Sequence, residues 1–101
     1  MTLEAQATAL LSLLETMRIQ AAAAVAAHRP AHLEAERHYA SLCALNTADP
    51  TAITDVAIDA ADRALTTTGR RMELLDGELA GIEKAVGELQ DVEQHAKRAG
   101  L

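Results

Sequence analysis

The sequence predicts an all-α protein built as a long antiparallel helical hairpin of coiled-coil type, and three observations carry that expectation. Leucine and alanine recur at helical spacing along nearly the whole chain. Only 5 Gly and 2 Pro interrupt them, and β-branched runs are few, which leaves little material for strands and their turns. One cluster of turn residues, Asn46-Thr47-Ala48-Asp49-Pro50, stands near the middle. At 101 residues the chain fits one small domain, residues 1–101. Half of it is apolar, but 23 residues are Ala, one is Tyr and none is Trp or Phe, so the core is expected to be thin.

The first helix is expected over about 3–28. Its apolar or small residues alternate in steps of four and three: Leu3, Ala7, Leu10, Leu14, Met17, Ala21, Ala24. That is the seam of a helix packed on another helix. Leu11, Leu13, Ile19 and Val25 widen the stripe and point to more than one neighbour. Arg29-Pro30 should then kink or break the helix, because proline lacks an N–H and its ring clashes with the preceding turn. A second segment, about 31–45, keeps the register through Ala31, Ala35, His38, Leu42 and Leu45.

At the central turn Asn46 suits a left-handed cap, Asp49 suits the helix N-cap and Pro50 the first helical position. The third segment is therefore expected over about 51–98, with Asp55 early, Lys97 and Arg98 late, and Gly100 as its stop. Its alternation is long: Ile58, Ala61, Leu65, Thr68, Met72, Leu75, Leu79, Ile82, Val86, Leu89. Some 47 residues at ~1.5 Å each would make a rod of about 70 Å. A bare hairpin buries one stripe of each helix, so a partner is implied: a second copy, making a four-helix bundle, or a helix of another protein. Gly69, Gly77, Gly81 and Gly87 weaken the last helix by ~1 kcal/mol each relative to Ala. They read either as a docking face or as tolerated flexibility.

Charge and composition exclude several function classes. A net charge of -6 leaves no basic footprint for nucleic acid. The longest unbroken apolar run, Ala21 to Ala27, is far short of the ~20 residues of a membrane span, so no membrane insertion is expected. The first basic residue is Arg18, so the charged start of a secretory signal is missing and a cytoplasmic location is expected. Cys43 stands alone and reads as a small apolar residue.

Candidate chemistry is sparse. His28 and His32 stand four apart with Glu36 and His38 following, a spacing that can ligate zinc on a regular helix, but Pro30 lies between them and no further ligands are spaced for a site. No metal or cofactor is expected; His28 and His38 read as residues on or beside the seam, the others as solvated. Glu34 and His38 could form an acid–base couple only in a pocket that a pair of helices does not offer, and no phosphate loop or nucleophile elbow occurs, so the chain is read as no enzyme. Gly69-Arg70-Arg71 is a small basic spot that reads as solvated surface, with contact to an acidic partner as the alternative. Met17 and Met72 belong to the seam as adaptable filler. Should the last helix offer its seam to a partner, Met72, Leu75, Leu79, Ile82, Val86 and Leu89 have the spacing of helix-in-groove anchors.

The stretch from Gly69 to Leu89 resembles the last helix of FlgN-like flagellar (type III) export chaperones, in which a double leucine is followed by glycine and an aliphatic residue, here Leu74-Leu75 and Gly81-Ile82. The run Leu10 to Glu15, the interruption at Arg29-Pro30 and the segment ending Leu42-Cys43-Ala44-Leu45 are similar to the family's opening. An asparagine common before the double leucine falls near Arg71 here. The resemblance implies a cytoplasmic chaperone that binds the terminal helices of hook-associated proteins and prevents their premature assembly, with Leu74, Leu75, Gly81 and Ile82 on the client face. The alternative is a structural or secreted helical hairpin that self-associates into a four-helix bundle, although the Trp-x-Gly turn of one such secreted class is replaced by Thr47-Ala48-Asp49-Pro50-Thr51.

Overall fold

The protein is described by a computed structural model over residues 1–101, which contains two α-helices and no strand: α1, Leu3–Ala48, and α2, Asp55–Ala99. Three of the four ends have a local chemical cause. The Thr2 hydroxyl accepts the Ala5 N–H at 3.1 Å and caps α1. The Thr54 hydroxyl does the same for Ala57 at 3.2 Å and caps α2, with Asp55 placing a negative charge at the positive end of the helix dipole. Half-buried Ile53 and Ile58 occupy the two positions of a hydrophobic staple around that cap. At the other end Gly100 takes φ 70°, its N–H reaches Lys97 O, and Leu101 N–H reaches Ala96 O at 2.8 Å. Those bonds close a Schellman motif, so the expected stop at Gly100 is present.

One helix stands where the sequence predicts segments 3–28 and 31–45. Pro30 lies inside α1. It withholds an N–H from Ala26, but Val25 and His28 before it and His32 and Ala35 after it all stay on the packed stripe, and their burial on both sides holds the helix together.

The helix starts and stops around the turn also differ from expectation. α1 runs on to Ala48, so Asn46 is helical, and α2 begins at Asp55 instead of 51. Asp49 does not cap a helix: its Oδ1 accepts the Thr51 hydroxyl at 2.7 Å and the Thr51 N–H at 3.1 Å, which ties it into a tight turn. These two bonds, the hydroxyl first, hold the Asp49 carboxyl below the usual carboxylate range. The folded state therefore favours the ionised form. Its contribution to the turn is full above the usual carboxylate range and is lost as pH falls through the lowered value. Thr51→Val should move the Asp49 titration upward in an NMR pH series; an unmoved titration would remove the hydroxyl as the cause.

The helices pack as two compact units. One is Val25–Leu74, an antiparallel pair joined by the turn; the other, the terminal unit, pairs Met1–Ala24 with Leu75–Leu101. In the terminal unit the segments are again antiparallel, since Leu3 N–H donates to Leu101 O at 2.7 Å and the Thr8 hydroxyl to Glu93 Oε2 at 2.8 Å. The buried core is thin, as composition predicts: Ala7, Val25, Ala61, Leu75, Val86 and Ala96. By length and composition, α1 is apolar enough to cross a membrane, because its leucines and alanine run outweigh the few charges between them, a feature that counting unbroken runs misses.

Candidate functional site

The seam of α2 follows the sequence reading. Ile58, Leu65, Met72, Leu79, Val86 and Glu93 alternate with Ala61, Thr68, Leu75, Ile82, Leu89 and Ala96, and every one is buried or half-buried. Of the residues named as a partner face, Met72, Leu75, Leu79, Ile82, Val86 and Leu89 thus lie on the stripe that packs within the chain, with Leu75 and Val86 only 5% and 7% exposed. Leu74 and Gly81 lie off it, and Leu74 is 62% exposed.

On α1 the seam is turned from the expected one. Ala7, Leu14, Ala21, Ala35 and Leu42 are on it as predicted, but they alternate with Glu4, Leu11, Arg18, Val25, His32, Tyr39 and Asn46. The expected Leu3, Leu10, Met17 and Leu45 are instead exposed, as are Ala31 and His38. The apolar stripe of α1 is wider than one neighbouring helix can cover, and apolar spacing alone selects the leucine-rich flank. On the flank that is covered, His32 meets Thr68 of α2 at 2.9 Å, while Arg18 stays half-exposed and pairs along its own helix with Glu15 at 2.8 Å.

A groove results in the terminal unit. Leu14 and Met17 of α1 face Gly77, Glu78, Gly81, Ile82 and Ala85 of α2 around about 410 Å³ of open space. An adjoining depression of about 280 Å³ shares Met17, Glu78 and Ile82 and extends to Gln20, Ala21 and Ala24. A Cβ built on Gly77 or Gly81 would meet nothing within 4 Å, so neither glycine is demanded by packing inside the chain. Both keep the groove wide. Leu10 lies one heptad before Met17, and Val92 one heptad after Ala85, so the apolar side continues past the groove; they are 51% and 40% exposed. The other flank of the seam is polar, with Thr8, Glu15, Asp76, Glu83 and Lys97. The lining offers one carboxylate and one amide among apolar groups, which suits binding of an apolar surface. Leu3, Leu10 and Met17, seven apart, were the available sequence signal for this side.

The histidines serve the seam of the turn-bearing unit. His28 Nε2 donates to the Thr68 carbonyl at 3.2 Å. His32 Nε2 donates to Glu36 at 3.0 Å, and Nδ1 meets the Thr68 hydroxyl at 2.9 Å, which also reaches the Ala64 carbonyl at 3.0 Å. The expectation for this cluster is corrected in one respect: His32 joins His28 on the seam, and His38 is exposed, because the seam takes the other flank of α1. No three ligating side chains converge on a point that could hold a metal ion. Cys43 is half-buried, and its contact with the Tyr39 hydroxyl, with Asp62 adding to it, pushes the tyrosine pKa up. Thr68→Val should lower stability by about 1 kcal/mol in urea denaturation, since it strips His32 Nδ1 of its partner while the carbonyl still serves His28. An unchanged midpoint would mean that water replaces the hydroxyl at no loss.

No family model, no curated protein and no solved structure matches this chain.

Proposed function

We propose that this protein is a binding module that holds an amphipathic helix of a protein partner in the groove of its terminal unit. The observation that carries the reading is the unclaimed apolar side of that unit: a groove walled by Leu14, Met17 and Ile82, floored by two glycines, and continued by exposed Leu10 and Val92. A helix laid along it would bury what the chain leaves in water. Its concrete form, on the resemblance of residues 69–89, is a cytoplasmic export chaperone that keeps terminal helices of hook-associated proteins from assembling early. Gly81 and Ile82 then act in the groove, whereas Leu75 acts by holding the two helices together.

Gly81→Leu tests this reading, because leucine fills the groove and raises helix propensity. The variant should keep its far-UV helicity and lose at least about tenfold in affinity for a client helix by calorimetry. Unchanged affinity in the filled groove would end the assignment.

A further inference from the structure

The terminal unit that bears the groove carries an acidic excess. In the terminal unit the cations are Arg18, Lys84, Lys97 and Arg98, against eight carboxylates. Arg18 is held by Glu15 at 2.8 Å. None of the four lines the groove, while Glu78 lines both of its depressions. Beyond the lining, exposed Glu88 follows Gly81 by one heptad and exposed Lys84 follows Gly77 by one heptad, so the charge that faces the groove itself is that of Glu78. A second copy seated in the groove would bring another net-acidic unit against Glu78, and like charges across an interface act against that pairing. A helix with cations beside its apolar stripe would meet opposite charge at Glu78.

From this charge pattern we infer that the occupant of the groove is an amphipathic helix of another protein whose apolar stripe is bordered by Lys or Arg, and not a second copy of this chain. The inference rests on the groove reading above and adds the chemistry of the partner to it. The apolar stripe supplies burial against Leu14, Met17 and Ile82, and the glycine floor lets the visiting backbone come close. The bordering cations meet Glu78 and supply choice of partner and rate of encounter more than raw affinity.

Two synthetic helical peptides of about 21 residues test it, each with the same leucine stripe, one bordered by Lys and its twin by Glu. Titrated into the full chain at low salt, the Lys peptide should bind at least about tenfold tighter than the twin, with the ratio shrinking as salt is raised. E78K should reduce the preference, and Gly81→Leu should abolish binding of both peptides, each variant being checked for unchanged helicity. Equal affinity for the two peptides, lost in Gly81→Leu, would leave the groove reading standing and overturn the charge inference. Binding of the Lys peptide that survives Gly81→Leu would mean diffuse acid–base pairing outside the groove and would overturn both. Sedimentation of the native chain alone gives the remaining arm: a dimer at micromolar concentration that Gly81→Leu dissolves would make the second copy the occupant and overturn the inference.

Discussion

Replacing Leu75 by alanine should lower the stability of this protein by about 3 kcal/mol, whereas the same change one residue earlier, Leu74→Ala, should move it by less than about 0.5 kcal/mol. Leu75 is 5% exposed and is one of only three core residues larger than alanine, the others being Val25 and Val86. Truncating it leaves a cavity in a core with little else to close it. Leu74 is 62% exposed and projects off the seam. For a chain of this size the Leu75 variant should melt roughly 10–20 °C lower, and the Leu74 variant within a few degrees of the parent. Urea denaturation followed by circular dichroism reads both. Similar losses from the two leucines would mean that the seam of α2 is rotated from the one described, and the groove would have to be redrawn with it.

Pro30→Ala should raise stability by about 2–3 kcal/mol. In the interior of a helix, proline removes one backbone hydrogen bond and presses its ring on the carbonyl of residue i−4, here Ala26. Because α1 is helical on both sides of Pro30 and the proline is exposed, alanine restores the bond with no loss of packing. The thermal midpoint should rise accordingly, with helicity unchanged or slightly higher. No gain would show that the helix is kinked or broken at this point in solution, the two alternatives the sequence alone leaves open.

The two predictions mark where sequence reading succeeded and where it could not. The seam of α2 was legible: from Ile58 to Leu89 one stripe dominates the apolar spacing, so periodicity alone names it, including Leu75. α1 was legible in type but not in continuity or orientation: one helix, Leu3–Ala48, runs where the sequence predicts two segments. Leu3, Leu10, Met17 and Leu45 compete with Leu11, Val25 and Tyr39 for the same role, and both sets share Ala7, Leu14 and Ala21. A side chain such as His32 looks unfit for a seam until Thr68 of the other helix is in view. The turn misled for a related reason. Asp49-Pro50 has the residues of a helix start, but Thr51 competes for the same carboxylate and closes a turn first, leaving Thr54 to cap α2.

By itself, then, the sequence determined the all-α class, the seam of α2, the stop at Gly100 and the thinness of the core, because each follows from local propensity and spacing along one helix. Only the tertiary structure decided which flank of α1 faces inward, that Pro30 lies within a helix, and that Leu10, Met17, Gly77 and Gly81 border a groove. Those outcomes depend on which of two competing stripes a neighbouring helix covers, and burial against a neighbour is a property of the pair that no single helix carries in its own periodicity.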